Sequence, residues 1–131
     1  MTEIIQNPEI HLKEFKQQLI EFLDQLIGIF PTNTDLIILR IFLKDQIPIE
    51  NIMKTFVLRL LPCKEMVLSK DSNFFMNNNS LFEELDINKV NRFKKIWRSN
   101  NLDNEDREAI WRWLEVFITL SEKYQKSQVM I

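Results

Sequence analysis

The spacing of apolar residues near the start of the chain constrains the fold more than any other feature. These residues recur at intervals of three and four positions, which places them on one face of an α-helix. They are Leu12, Phe15, Leu19, Phe22 and Leu26. Asn7 and Pro8 suit the cap and first turn of this helix, whereas Gly28 and Pro31 suit its end. Because the pattern is too short for a free coiled coil, it predicts a helix that faces the core of a domain.

A second helix is predicted over residues 34–46, which open with Thr34 and Asp35. Seven of the eight residues at positions 36–43 are apolar, and only Arg40 interrupts the run. A helix that is apolar nearly all round belongs at the centre of a domain, so we predict a central position for it. A buried strand is the competing interpretation of so short a run, and the polar residues at 44–46 favour the helix.

A third helix is predicted to begin at Pro48 and to end at Pro62. Its apolar stripe consists of Ile49, Ile52, Met53, Phe56, Val57 and Leu60. A short helix near residues 64–68 is predicted next, followed by a loop that carries Phe74 and Phe75 into the core. The asparagine run at 77–79 predicts a turn or an exposed loop.

Three more helices are predicted in the remaining part of the chain. Ser80 and Glu83 have the spacing of a capping box, which indicates a short helix. Asp86 can cap the next helix, and Asp103 can cap the last one, which is predicted to run to about Gln125. The apolar stripe of the helix after Asp86 consists of Val90, Phe93, Ile96 and Trp97.

These elements predict an all-α fold, a single compact bundle of five to seven helices with no sheet. The connections are short and no repeat or linker divides the chain, so residues 1–131 are predicted to form one domain. Residues 1–6 and 127–131 are predicted to be frayed tails. A length of 131 residues and a hydrophobic fraction of 45% fit a globular domain of this kind.

Charge, cysteine content and hydropathy limit the classes of function. The formal net charge of −2 argues against a protein that is basic over its whole surface, as many nucleic-acid-binding proteins are. The single cysteine, Cys63, cannot form an internal disulfide, which fits a reducing compartment. The first residues do not resemble a signal peptide, and the longest apolar run is far shorter than the roughly 20 residues of a membrane span. We therefore expect a protein that is neither secreted nor inserted in a membrane.

The residues that usually carry catalysis or bind metals form no motif. With one histidine, His11, and one cysteine, the usual zinc-binding spacings are absent. A nucleophilic pair of Cys63 and His11 is compatible with their distance in the sequence, but no motif supports it. Cys63 is predicted to be a small core or edge residue, and His11 a solvated one on the first helix. The single glycine, Gly28, excludes glycine-rich phosphate loops. The acidic run at 103–108 has Arg107 where a calcium loop needs an oxygen ligand, so it is better explained as the first turn of a helix. We expect no catalytic, cofactor or metal site, and no small-molecule substrate.

One helix carries a cluster of cations that merits a functional hypothesis. Lys89, Arg92, Lys95 and Arg98 share or border the face opposite Phe93, and Lys94 lies at its edge. Such a surface can contact phosphates, with Trp97 nearby for stacking on a base. The competing explanation is that cations gather toward the C-terminus of a helix and pair with acids of the next one.

All three tryptophans lie in two related phrases, Ile96-Trp97-Arg98 and Ile110-Trp111-Arg112-Trp113. Residues two positions apart on a helix point about 200° away from each other, so Trp111 and Trp113 cannot line one aromatic cage. We predict that they flank a buried stripe, one facing the core and the other available to a partner. The candidate partner interface consists of Trp97, Trp111, Trp113 and Tyr124.

Three stretches of the sequence together resemble a known group of proteins. They are DLIILRIFLKDQIPIENIM at 35–53, DSNFFMNNNSLF at 71–82 and VNRFKKIWRSNNLDNEDREAIWRWLEVFITLSEKYQK at 90–126. They resemble small, uncharacterised α-helical proteins encoded by nucleocytoplasmic large DNA viruses, the giant viruses. The resemblance implies a viral origin and a location in the cytoplasm of the infected cell, its viral factory or the virion. It implies no site residues.

Two functional hypotheses follow from these patterns. The first is a non-enzymatic interaction protein of a large DNA virus, either a virion or assembly component or an adaptor, with protein partners that include further copies of itself. The alternative is a nucleic-acid-binding protein that uses the basic helix face at 89–98. An enzyme of unrecognised type would need a pocket with convergent polar groups, which the sequence does not indicate.

Overall fold

The fold, known from a computed structural model, is described for residues 8–77 and 87–129. Seven α-helices lie in these two ranges, and no β-strand does, which confirms the all-α prediction. The helices are Pro8–Ile29 (α1), Thr34–Ile41 (α2), Ile49–Thr55 (α3), Lys64–Leu68 (α4), Ser72–Asn77 (α5), Ile87–Arg98 (α6) and Asn104–Val129 (α7). None of these seven helices is long and apolar enough to cross a membrane.

The main hydrophobic core forms where the two longest helices, α1 and α7, pack against each other and against the α3 segment. Its buried members are Phe15, Leu19, Met53, Phe117, Leu120 and Tyr124. The ring centroid of Phe15 lies 5.0 Å from that of Phe56 and 6.0 Å from that of Phe117, both edge to face. Such pairs contribute about 0.5–1.5 kcal/mol each beyond the area they bury. The three rings therefore help to fix the positions of the three elements that carry them.

The chain from Ile49 to Leu68 stays helical but changes its pitch three times. After α3, a π-helical turn, Phe56–Leu60, closes with a hydrogen bond from Leu61 N to Phe56 O, and a 3-10 turn, Leu61–Cys63, leads into α4. Pro62 was predicted to end the helix. It lies instead at the start of the 3-10 turn, where its missing N–H is no loss, so the segment continues with a different pitch.

The last helix begins at a reciprocal cap, as predicted for Asp103. Asp106 N donates to Asp103 Oδ1 at 2.8 Å, and Asp103 N donates to Asp106 Oδ2 at 3.2 Å. The helix continues past the predicted end near Gln125 to Val129, because Ser127 is still buried against the bundle with 8% exposure. Residues 127–129 therefore belong to α7 and not to a frayed tail. Residues 1–7, which include the predicted cap Asn7, and residues 130–131 lie outside the described ranges.

The segment after α4 also differs from its prediction. Phe74 and Phe75 lie in the short helix α5, not in a loop, and Asp71 Oδ1 caps this helix by accepting from Phe74 N at 3.0 Å. The ring of Phe75 packs 5.9 Å from that of Trp111, as a residue predicted to face the core should. Asn77, predicted to lie in a turn or exposed loop, is the last residue of α5. The other residues of that predicted turn, Asn78 and Asn79, lie outside the described residues, as do the capping box at Ser80 and the cap at Asp86.

The position of α2 is the largest departure from the sequence-based prediction. Only Leu36 in α2 and Leu43 just after it are buried, at 1% and 7% exposure, and both pack against Leu23 and Leu26 of α1. The helix therefore lies on the outside of the bundle, and the prediction of a central position is wrong. The physical reason is that α2 has only eight residues and packs by one face.

Candidate functional site

The outward face of α2 presents a row of large apolar side chains to solvent. Ile37, Ile38, Ile41 and Phe42 are 37%, 47%, 50% and 43% exposed, and we call these four residues the α2 patch. On a helical wheel they fall within about 140° of one another, opposite the buried Leu36 and Leu43. A continuous apolar stripe of this width is what a helix normally turns toward a protein neighbour.

Two ion pairs hold α2 on the bundle, one on each side of the α2 patch. Arg40 Nε lies 2.6 Å from Asp24 Oδ1 of α1, and Arg92 Nη1 of α6 lies 3.1 Å from Asp35 Oδ1. Both pairs are largely exposed, so each contributes at most about 1 kcal/mol to stability. They add to the burial of Leu36 and Leu43 against α1, which turns the opposite face of α2 outward.

The chain leaves α2 through a π-helical turn, Phe42–Gln46, which closes with a hydrogen bond from Ile47 N to Phe42 O at 2.9 Å. This turn carries Leu43 into the core and leaves Lys44 and Asp45 exposed beyond the end of the α2 patch. The apolar row is therefore bordered by charges of both signs. An apolar centre with a polar rim is the usual anatomy of a protein interface.

The candidate interface of four aromatic residues is only partly accessible in the structure. Trp111 of α7 is 7% exposed, and it packs with Val67 of α4 and with Ile118 of its own helix. Tyr124 is 2% exposed in the main core, where Gln128 Nε2 donates to its hydroxyl at 2.9 Å. Neither ring is open to a partner, so the prediction that they belong to an interface is corrected. Both are buried because α7 packs against α1 on one side and against α4 on another.

The other two aromatic residues are half-buried and already have neighbours in the chain. Trp113 stacks 5.9 Å from Phe117, and its Nε1 donates to Gln25 Oε1 at 2.9 Å. Trp97 packs edge to face on Trp111 at 5.4 Å. The four predicted residues therefore do not form one surface. Trp111 is the more buried member of the Trp111–Trp113 pair, whereas Trp113 packs partly buried against the main core.

Arg107 holds the end of α6 and the connection to α7. Its guanidinium donates to the carbonyl oxygens of Trp97 at 3.0 Å, Ser99 at 3.0 Å and Leu102 at 2.9 Å, and it lies 5.8 Å from the ring centroid of Trp97. The last carbonyls of a helix lack partners within the helix, so a guanidinium is well suited to satisfy them. Arg107, whose presence in the acidic run at 103–108 argues against a calcium loop, thus stabilises the end of α6.

The predicted basic face lies on the solvent side of α6. Lys95 and Arg98 are exposed, Arg92 is exposed but paired with Asp35, and the side chain of Lys89 lies outside the described part of the structure. A shallow groove runs along this face, lined by Asn88, Asn91, Arg92, Lys94, Lys95 and Arg98. The lining contains four cations and no carboxylate, although Asp35 beside it pairs with Arg92, and the chain as a whole has a net charge of −2.

The two residues considered for nucleophilic chemistry are both buried. Cys63, as predicted, is shielded, its Sγ donates to Arg59 O at 3.5 Å, and burial raises the pKa of its thiol. His11 was predicted to be solvated, but it is 6% exposed because it lies on the same face of α1 as Phe15. Its Nε2 has no hydrogen-bond partner among the described residues. No group of three or more His, Cys, Asp or Glu residues within 8–77 and 87–129 could hold a metal ion.

Comparisons with known proteins give no relative for this chain, since no family model, no curated protein and no solved structure matches it.

The α2 patch was missed by sequence reasoning because its apolar residues were all assigned to the core. One signal in the sequence did point to it. Asp35 and Arg40 lie within or beside the apolar run, and two charged residues in an eight-residue helix need positions near solvent. A helix with charges on two sides and apolar residues between them cannot be buried all round.

Proposed function

We propose that this chain is a non-enzymatic interaction protein that binds protein partners through the α2 patch. The observation that supports this proposal is the row of four adjacent apolar side chains, each at least 37% exposed. They lie on a helix that is joined to the bundle by ion pairs on both sides. The largest contiguous apolar patch on a protein surface is often the place where it binds a partner.

The chemistry of the surface defines the kind of partner. The α2 patch offers aliphatic and aromatic surface at its centre, while the Asp24–Arg40 and Asp35–Arg92 pairs offer charges of both signs at its rim. A matching partner presents an apolar ridge with charges beside it, such as one face of an amphipathic helix.

The setting that we propose is the infected cell of a large DNA virus, as a virion or assembly component or as an adaptor in the cytoplasm or viral factory. The support for this part of the proposal is the resemblance of residues 35–53, 71–82 and 90–126 to small proteins of the giant viruses.

The test is affinity purification from infected cells, with identification of the captured proteins by mass spectrometry. The wild-type chain is compared with the double variant Ile38→Asp/Ile41→Asp. Ile10→Asp is the matched control, since Ile10 is 61% exposed on the first turn of α1, about 20 Å along that helix from Asp24. We expect the double variant to lose partners that the wild type and the control retain. If all three chains capture the same partners, the α2 patch is not the binding surface.

Nucleic-acid binding is a second candidate, and the groove on α6 is the observation that favours it. Its lining combines cations, which contact phosphates, with the amides of Asn88 and Asn91, which can bond to sugar or base edges. Binding of a labelled single-stranded oligonucleotide should weaken as salt rises. It should also weaken in Lys95→Ala/Arg98→Ala but not in Lys13→Ala/Lys126→Ala, which removes the same charge elsewhere. Binding that is absent at low salt, or equally weak in both variants, argues against this candidate.

A further inference from the structure

The shallow groove on the solvent side of α6, which we call the α6 groove, holds a row of cations. Arg92, Lys95 and Arg98 follow one another at intervals of three residues in its lining. The row is about 9 Å long along the helix axis, and its two ends point about 120° apart on a helical wheel. Because Arg92 and Arg98 diverge in this way, they do not converge on one phosphate. The row suits a ligand that carries several phosphates in succession.

Among the described residues that line the α6 groove, none is aromatic. Trp97, which was considered for stacking on a base, is two positions from Lys95 and points about 200° away from it on the helix. Its ring packs on Trp111 at 5.4 Å and lies 5.8 Å from the guanidinium carbon of Arg107. Stacking on aromatic rings is what binds bases in single strands, whereas contacts to phosphate carry no direct sequence information. The α6 groove therefore fits the backbone of a strand and not its bases.

One cation of the row is shared with α2. Arg92 Nη1 donates to Asp35 Oδ1 at 3.1 Å, and both side chains are partly exposed. The Asp35 carboxylate offsets part of the charge that Arg92 brings to the α6 groove. Because an exposed ion pair is weak and a guanidinium bonds strongly to phosphate, a bound phosphate competes with Asp35 for Arg92.

We propose that the α6 groove binds the phosphate backbone of a nucleic-acid strand with little regard to its bases, and that Asp35 weakens this binding by holding Arg92. This inference rests on the second candidate function. It adds which part of the ligand is bound and which residue of another helix limits the affinity. Asp35 thus acts on the groove through the position and charge of Arg92, without contacting the ligand.

The number of cations in the row sets the salt dependence of binding. For a single strand, the logarithm of the binding constant falls with the logarithm of the salt concentration, with a slope of about −0.7 for each phosphate contacted. Contacts from Arg92, Lys95 and Arg98 therefore give a slope of about −2. The variant Lys95→Ala/Arg98→Ala should bind more weakly, and its slope should be closer to about −1.

Asp35→Asn releases Arg92 from its ion pair while keeping the shape of the side chain. In fluorescence anisotropy at low salt, we expect this variant to bind a labelled oligothymidylate about threefold to fivefold more tightly than the wild type. Asp24→Asn is the matched control. It removes the same charge and the other ion pair that joins α2 to the bundle, but its partner Arg40 does not line the α6 groove. We expect its affinity to stay within about twofold of the wild type.

Arg92→Gln tests whether Asp35 acts through Arg92. This variant alone should weaken binding, since it removes one of the three cations of the row. Adding Asp35→Asn to it should change the affinity by less than about twofold, because no guanidinium is left to release. A general repulsion between Asp35 and the strand would instead give the same gain in both backgrounds. Circular dichroism verifies that each variant keeps its helices.

The bases of the probe provide a separate test of the site. Oligothymidylate and oligodeoxyadenylate should bind within about threefold of each other, since no ring in the groove stacks on them. An affinity for one that exceeds the other by more than about tenfold would overturn the inference. So would an Asp35→Asn variant that gains no more than Asp24→Asn, or one that gains as much in the Arg92→Gln background.

The same measurements separate this inference from the second candidate function. If the wild type binds at low salt and Lys95→Ala/Arg98→Ala loses that binding, while Asp35→Asn binds no better than the wild type, the inference fails and the candidate function stands. If the wild type binds neither oligonucleotide at low salt, both fail.

Discussion

Truncation of a buried and of an exposed residue on the same helix tests the position of α2. Leu36→Ala removes a side chain that is 1% exposed, whereas Ile41→Ala removes one that is 50% exposed. A buried Leu→Ala change costs about 2–5 kcal/mol, because it loses transfer free energy and leaves a cavity. Because Ile41 is half exposed, its truncation loses only about half of the transfer free energy of a buried side chain, and no cavity forms. The higher helix propensity of alanine then recovers about 0.4 kcal/mol.

We therefore expect a loss of about 3 kcal/mol for Leu36→Ala and less than about 1 kcal/mol for Ile41→Ala. The free energy of unfolding is measured by urea denaturation followed by circular dichroism. The protein is kept dilute, at about 1 µM, so that self-association does not stabilise the folded state. Similar losses in the two variants would mean that α2 is buried on both faces. That result would refute the placement of α2 on the outside of the bundle.

Three further predictions follow from individual residues. Arg107→Met should lower the free energy of unfolding by about 2–4 kcal/mol, because the carbonyls of Trp97, Ser99 and Leu102 lose charge-assisted hydrogen bonds; an unchanged urea midpoint would contradict this. Gly28→Ala should raise stability by about 0.5–1 kcal/mol, since a Cβ at this helical position meets nothing within 4 Å; a lower melting temperature would contradict it. Burial, and then the Glu50 carboxylate, raise the pKa of Tyr124 above 10.0, so absorbance at about 295 nm should show this single tyrosine ionising late. The stabilisation from its protonated form is present below about pH 10 and is lost as the pH rises through the raised pKa.

The helices were predictable because their signals are local. The three-and-four spacing in α1 and the capping aspartate of α7 require only near neighbours in the chain, and the structure has both elements where they were expected. The pitch changes around Pro62 were not predictable, because a π turn of five residues and a 3-10 turn of three residues are too short for their own periods to appear in the apolar pattern. Their choice depends on how the segment packs against α7.

Burial was harder to predict, because it depends on which helices are neighbours. His11 looked solvated beside charged residues, yet its position on α1 places it on the same face as Phe15. Trp111 and Trp113 were correctly separated by helical geometry, but only the packing of α4 against α7 determines that Trp111 is enclosed. The α2 run was assigned to the core because periodicity measures how apolar a helix is and not how many neighbours it has.

The candidate site was partly predictable. The cations of α6 were placed on one exposed face from spacing alone, and the structure keeps Lys95 and Arg98 exposed there. The pairing of Arg92 with Asp35 was not predictable, because 57 residues separate the two in the sequence. The charges at Asp35 and Arg40 indicated that α2 has a solvent-facing side, but which apolar residues lie on it depends on how the helix packs against α1.

Accessibility of position 41 tests the central claim, that the α2 patch is a binding surface, most directly. Cysteine introduced as Ile41→Cys is labelled with a thiol reagent, and the wild type gives the background. That background is slow because Cys63 is buried and its thiol pKa is raised. We predict fast labelling of Ile41→Cys in the free protein, and at least about tenfold slower labelling when a captured partner is bound. Labelling that is equally fast in both conditions, or slow even in the free protein, would contradict the claim.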